Sequence, residues 1–159
     1  MAKERSSFLN ILTILSFVGI GIFLIIGIFS IVTGTVAQKT YFSSEEAYEK
    51  AQKDIVELYA GQPELGMAAI AEMEATRHLR SNGFMIVFGQ IFCLLGVLKM
   101  RKGNKVGFAL YSIGELGVPI ASIIFMGGMG IFGVIIGLVF VILYGTRLEE
   151  MRLHRAVVA

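Results

Sequence analysis

The sequence is poor in the residues that carry redox and metal chemistry. Its one cysteine, Cys93, excludes an internal disulfide and any reaction that needs paired cysteines. Its two histidines, His78 and His154, are far apart, and the acid one helical turn from His78 is Glu74. Zinc sites normally need a larger set of closely spaced ligands. The sequence therefore predicts neither a metal site nor a cofactor.

Charge is also scarce. Charged residues make up 16% of the chain, whereas soluble domains carry about a quarter. Hydrophobic residues make up 55% of the chain, and the mean hydropathy is +0.75. The net charge of +2 is small, and we expect no nucleic-acid partner. The composition instead predicts a protein whose main surroundings are a lipid bilayer.

Four apolar runs predict transmembrane helices. They cover about residues 8–36, 82–98, 106–126 and 130–146. The first run is uncharged, and at about 1.5 Å per residue it is longer than the roughly 30 Å hydrocarbon core. The last two runs are separated by "MGGMG" (Met126–Gly130), which predicts a tight turn because glycines permit positive φ. The predicted fold is an all-α membrane protein with four transmembrane helices in one domain, residues 1–159.

The distribution of charge predicts the orientation of these helices. Basic residues lie next to the ends of the apolar runs, at Lys3, Arg5, Lys99, Arg101, Lys102, Lys105, Arg147, Arg152 and Arg155. The segment between the first two runs holds eight acidic and five basic residues. Short cytoplasmic loops are enriched in Lys and Arg. We therefore expect a protein of the bacterial inner membrane with both termini on the cytoplasmic side. Residues 40–81 then lie on the extracytoplasmic side.

The sequence of residues 40–81 predicts a helical hairpin, which is inserted between spans one and two. Ser43 and Glu46 fit a capping box at the start of its first helix, and Gly61 followed by Pro63 fits a stop. A second helix is expected to start at Pro63. It either continues directly into the second span or bends at Ser81–Gly83.

The first helix of this hairpin carries an apolar stripe. Tyr48, Ala51, Ile55 and Tyr59 recur at helical spacing. Such a stripe most often packs against a neighbouring helix of the same protein. The alternative is a docking surface for a protein partner, with Tyr48, Ile55 and Tyr59 as its anchors.

An intramembrane acid, Glu115, is the main candidate for function. Its insertion costs about 2.5–3.5 kcal/mol, so it should face other helices and have a polar partner. Counted from the basic loop, Glu115 and Gln90 lie at the same depth on neighbouring helices, which makes Gln90 the expected partner. Tyr111 and Ser112 on the same helix, and Ser16 on the first span, complete the predicted polar site.

A proline follows this acid. Pro119 has no N–H to donate to the carbonyl four residues back, which is that of Glu115. The sequence therefore predicts a helix kink and a free carbonyl beside the carboxyl group. One interpretation is a hydrogen-bonded group that fixes helix register, and the other is a binding site for a proton, cation or amine.

Small residues in the last span predict close helix packing. Gly133 and Gly137 form a GxxxG pattern, which lets helices approach closely in lipid. The pattern serves either packing within one chain or a homo-oligomer, and a chain with 19 glycines yields such patterns often.

The stretch "LGVLKMRKGNKVGFALYSIGELGVPI" (Leu95–Ile120) has a basic loop, a Gly-Phe-x-x-Tyr step, a polar residue and a proline. In this it resembles uncharacterised small bacterial four-span membrane proteins. The resemblance covers about a sixth of the chain. It implies the four-span fold and no particular activity.

The sequence supports three hypotheses for function. The first is a non-enzymatic structural or partner-binding subunit of an inner-membrane assembly, with a protein partner or a second copy of the chain. The alternative is a small transporter or ion- or proton-coupled carrier that uses Glu115. The third is a membrane enzyme acting on lipophilic substrates, with Arg77 and Arg80 lining a groove.

Overall fold

The secondary structure is helical in the part of the chain that the structure, a computed structural model, describes: residues 7–126 and 130–147. The helices are α1 (Ser7–Tyr41), α2 (Glu45–Leu58), α3 (Pro63–Ala75), α4 (Leu79–Arg101), α5 (Val106–Met126) and α6 (Gly130–Gly145). The predicted all-α class is confirmed. The predicted glycine turn falls largely on residues 127–129, outside the described residues.

Three helical segments are long and apolar enough to cross a membrane. They are Phe8–Tyr41, Pro63–Arg101 and Val106–Ile123, and a shorter apolar helix covers Ile131–Gly145. With 35 residues, α1 is about 50 Å long, well beyond the hydrocarbon thickness. Length and composition therefore make these segments candidates for membrane crossing, as in a multi-pass membrane protein.

The chain passes from α3 to α4 without a loop. One turn of 3₁₀ helix, Thr76–His78, joins the two, and its flanking residues Ala75 and Leu79 keep right-handed helical angles. Ser81–Gly83 are regular α-helix, so the alternative bend at these residues is not present. The chain changes helix type one turn earlier instead.

The start of α2 differs by one residue from the prediction. The N-cap is Ser44, not Ser43: Ser44 has extended backbone (φ −153°, ψ 164°), and its hydroxyl accepts a hydrogen bond from the Ala47 N–H at 3.1 Å. The predicted capping box does not form, because the residue three positions after Ser44 is alanine rather than glutamate. The predicted start of α3 at Pro63 is confirmed, since proline suits the first turn of a helix.

A tight turn joins α4 to α5. Gly103 adopts φ 71°, which a side chain would disfavour, and the Asn104 N–H donates to the Lys99 carbonyl at 3.0 Å. The Asn104 side chain then accepts from the Val106 N–H at 3.0 Å and caps α5. The turn reverses the chain, so that α5 runs back along α4.

The chain divides into two compact units. Among the described residues, one contains 7–26, 85–126 and 130–147, the other Gly27–Phe84. The core of the first consists of the buried side chains of Leu9, Leu12, Ile20, Cys93, Val97, Met100, Tyr111 and Tyr144. In the second, the end of α1 packs against the start of α4, where Gly34 touches the backbone of Arg80. This contact fixes the backbone of Arg80 beside the last turns of α1.

Candidate functional site

The site around Glu115 is positioned by direct contact between the backbones of α4 and α5. A methyl group on Gly96 would lie 2.6 Å from the Tyr111 nitrogen, and one on Gly114 would lie 2.8 Å from the Cys93 nitrogen. Such distances are shorter than real carbon contacts, so only glycine fits. The contact holds α5 against the face of α4 that carries Cys93.

Cys93 is the hydrogen-bond partner of the intramembrane acid. Its thiol donates to Oε2 of Glu115 at 3.4 Å, and its sulfur lies 3.7 Å from the Tyr111 carbonyl oxygen. The Cys93 side chain has no exposed surface, whereas Glu115 is half-buried. The carboxyl group is therefore held on one side by a thiol that solvent does not reach.

A cluster of three hydroxyl groups lies in the same unit. The Ser16 hydroxyl is 3.0 Å from that of Tyr144 and 3.4 Å from that of Tyr111. The two tyrosine rings meet edge to face, with centroids 4.9 Å apart, and each is 1% exposed. Because a hydroxyl both donates and accepts, the cluster joins α1, α5 and α6 through polar contacts inside an apolar core.

Two predicted members of the site, Gln90 and Ser112, make no hydrogen bond to Glu115 among the described residues. Gln90 is 7% exposed, but the hydrogen bonds described for residues 7–126 and 130–147 include none between it and Glu115. Counting residues from the basic loop predicts the depth of Gln90 and Glu115 in the bilayer. The close contact at Gly96 and Gly114 determines which side of α4 faces α5, and that side carries Cys93. The Ser112 hydroxyl is buried without a hydrogen-bond partner among the described residues.

The carbonyl that Pro119 leaves without its usual donor faces α6. A methyl group on Gly137 would lie 2.9 Å from the Glu115 backbone oxygen, and one on Gly133 would lie 3.0 Å from Cβ of Pro119. The two glycines of the GxxxG pattern thus pack directly against the segment of α5 that contains Pro119. In this chain the pattern serves packing between α5 and α6.

The apolar stripe of α2 faces a groove shared with α3. A cavity of about 630 Å³ is lined on the α2 side by Ala51, Ile55 and Leu58 and on the α3 side by Ala69 and Met73. Of these residues Met73 alone is buried, while Ile55 is half-buried and Leu58 is 77% exposed. The groove is therefore only partly filled by the side chains of its own unit.

The two tyrosines of the stripe lie near the ends of α2. Tyr48 stacks on Phe42 with ring centroids 5.6 Å apart, and its hydroxyl accepts from the Gln52 amide at 2.8 Å. Interaction with the Glu74 carboxylate raises the pKa of the Tyr48 phenol. Tyr59 caps the end of α2 and contacts Gly66 of α3.

Glu74, considered with His78 as a metal ligand, forms an ion pair instead. The Glu74 carboxylate accepts from the Arg77 guanidinium at 2.9 Å, one turn along the helix. Within the described ranges, no group of three or more His, Cys, Asp or Glu side chains is arranged to hold a metal ion. Basic side chains of this region, those of Arg77 and Arg80, line a cavity together with Lys39.

Cys93 and Tyr144 are site residues that the sequence reasoning missed. Gly89, Cys93, Gly96 and Met100 recur at intervals of three and four residues along α4. Such spacing places them on one face of the helix, and the small residues indicate that this face is in close contact. That pattern was a usable signal for Cys93, whereas nothing in the local sequence around Tyr144 indicates Ser16 as its partner.

Comparison of the chain with protein-family models, with curated proteins and with solved structures gives no match.

Proposed function

We propose that this protein is a structural, partner-binding subunit of an assembly in a bacterial inner membrane, without enzymatic activity. The observation that carries the proposal is the use of the intramembrane acid in packing. Glu115 is the acidic residue within the predicted spans, its carboxyl group bonds Cys93, and its carbonyl lies against Gly137. Those groups tie α5 to both of its neighbours, which is what a register-fixing contact does.

The proposal includes four membrane crossings, by α1, α4, α5 and α6. The α2–α3 hairpin lies outside, and both termini lie in the cytoplasm. The support comes from the basic residues at the α4–α5 turn and the acidic excess between α1 and α4. With 16 residues, or about 24 Å, α6 is somewhat short for the hydrocarbon core and requires local thinning or additional residues at its ends.

Cysteine labelling tests this topology. Ser44→Cys and Asn104→Cys should react with a membrane-impermeant maleimide from opposite sides of sealed vesicles. Native Cys93 should stay unlabelled, because its side chain is fully buried. Labelling of both introduced cysteines from the same side would contradict the proposed topology.

The groove between α2 and α3 is the proposed contact for the partner. Its floor is apolar, and Lys50, Asp54 and Glu72 stand on its rim. An apolar floor with a mixed charged rim suits the amphipathic helix of another protein. We expect a complex larger than the monomer when the protein is purified in mild detergent and its mass is measured by light scattering.

Ile55→Asp tests whether the groove holds that partner. It places a charge on the groove floor, and we expect it to release the partner while the free protein keeps its melting temperature within a few degrees. Val56→Asp is the matched control, because Val56 is the adjacent β-branched residue and is 56% exposed. Release by Val56→Asp alone would assign binding to the outer face of α2 and would contradict the groove.

A second candidate function, a proton-coupled carrier, is favoured by the hydroxyl cluster. The chain Tyr144–Ser16–Tyr111 consists of groups that both donate and accept protons. The Cys93–Glu115 pair adjoins it through the Tyr111 carbonyl. Glu115→Gln separates the two functions, because its amide keeps the hydrogen bonds but does not ionise.

A further inference from the structure

A second cavity, of about 430 Å³, lies within the Gly27–Phe84 unit and is strongly basic. Three cationic side chains line it, Lys39, Arg77 and Arg80, together with the polar side chains of Thr35, Gln38 and Ser43. The described residues that line it include no carboxylate. The cavity thus combines several N–H donors with an excess of positive charge.

The two arginines are held in place by neighbours that leave most of their donors unused. Arg77 bonds Glu74 at 2.9 Å, and its guanidinium carbon lies 5.7 Å from the centroid of the Phe42 ring. A guanidinium has five N–H donors, and the described contacts of Arg77 use one of its terminal nitrogens. Positioning of this kind lowers the ordering cost of binding an anion.

Arg80 is held in the same way by two groups. Its guanidinium donates to the Gln38 side chain at 3.0 Å and lies 6.0 Å from the centroid of the Phe84 ring. Gln38 is neutral, so this bond leaves the charge of Arg80 uncompensated. Two fixed guanidinium groups on one cavity suit bidentate recognition of a phosphate.

Lys39 adds a third charge to the same cavity. It is exposed, and the described part of the chain offers it no hydrogen bond or ion pair. The Glu74 carboxylate offsets Arg77, but Lys39 and Arg80 have no acid bonded to them in that part. The cavity therefore keeps a net positive charge that an anion from outside the chain would neutralise.

The position of the cavity indicates where that anion comes from. Lys39 follows the apolar run of α1, and Arg80 precedes the apolar part of α4 that begins at Phe84. With the proposed topology, both lie at the level of the headgroups of the outer leaflet. We infer that Lys39, Arg77 and Arg80 bind the phosphate of an anionic phospholipid headgroup; this rests on the proposed membrane topology. Free inorganic phosphate has the same chemistry and is tested as the other source.

Lipid titration of the full-length protein in detergent tests the inference. The probes are short-chain phosphatidylglycerol, phosphatidylcholine with the same chains, and inorganic phosphate, with the shift in melting temperature as readout. The variants are Lys39→Gln, Arg80→Gln and the double variant. Lys102→Gln/Lys105→Gln is the matched control, since it removes two charges from the α4–α5 turn, outside the cavity.

We expect phosphatidylglycerol to stabilise the wild type more than phosphatidylcholine does. Each lost charge should weaken its apparent affinity about fivefold, because a basic residue near an anionic headgroup contributes on the order of 1 kcal/mol. The melting temperatures without lipid show whether each variant is folded. Lys39→Gln is the cleanest single variant, because it breaks no bond of the described structure.

Each outcome of the lipid and phosphate titrations either supports or overturns the inferred phosphate site. Loss of the phosphatidylglycerol response in the double variant, but not in the control, supports the lipid source. A response to inorganic phosphate with the same variant pattern, and none to lipid, supports the phosphate site with a free ligand. Equal responses in the wild type and the double variant, or an equal loss in the control, would overturn it. The inorganic phosphate titration is independent of the labelling result, so failure of the topology and failure of the site are distinguishable.

Discussion

Gly114→Ala is expected to separate α4 from α5 and to destabilise the protein by about 3 kcal/mol. The added methyl group would lie 2.5 Å from the Gly89 carbonyl oxygen and 2.6 Å from the Cys93 sulfur. The carbonyl belongs to the backbone of a helix, so it moves only if the whole helix moves. The loss should appear in thermal unfolding in detergent followed by circular dichroism.

Gly117→Ala is the matched control for this substitution. Gly117 lies one turn further along α5, and apart from its own stretch of helix no atom of the described residues lies within 4 Å of the position of its added methyl group. Alanine has the higher helix propensity, so this variant should keep or slightly raise the melting temperature. Equal stability of the two variants would mean that the α4–α5 contact is not as close as described.

Glu115→Gln is expected to keep the fold, whereas Glu115→Leu is expected to lose about 2 kcal/mol. The amide of glutamine retains the size of the side chain and an oxygen that accepts from the Cys93 thiol. Leucine offers no acceptor and leaves the buried thiol without this partner. If Glu115→Leu loses stability because the hydrogen bond from the Cys93 thiol is lost, the stability losses of Cys93→Ala and Glu115→Leu should be non-additive in a double-mutant cycle.

The same glutamine variant separates a structural role from proton transport. Liposomes containing the wild type and a pH-sensitive dye report whether an imposed pH gradient collapses. A structural subunit should leave the gradient as stable as empty liposomes do. A gradient collapsed by the wild type but not by Glu115→Gln would replace the proposed function with the carrier. Glu57→Gln, at an exposed acid of α2, controls for the loss of a carboxylate.

The sequence predicts the helices of this protein better than their contacts. Apolar runs predicted α1, α4, α5 and α6, start and stop signals predicted α2, and Pro63 predicted the start of α3, because these signals are local. The cap of α2 was displaced by one residue, since Ser43 and Ser44 are both acceptable caps and only the backbone angles distinguish them.

The contacts of Glu115 were not predictable from local sequence patterns. Chain distance from the basic turn gave a height for Glu115, but not the rotation of α4 about its axis. Backbone contact at Gly96 and Gly114 determines that rotation, and with it the choice of Cys93 over Gln90. Ser16 and Tyr111 were expected near Glu115, and the structure brings their hydroxyl groups together through a cluster whose third member, Tyr144, lies on α6.

The separation of these residues along the chain sets an order of assembly during synthesis. Cys93 and Tyr111 are 18 residues apart, so α4 and α5 can pair as soon as α5 has left the ribosome. Ser16 and Tyr144 are 128 residues apart, and their bond forms only after the last helix has been made. The hydroxyl cluster is therefore the final closure of the unit. A nascent chain stalled before α6 would carry the α4–α5 pair but leave Ser16 and Tyr111 without their third member.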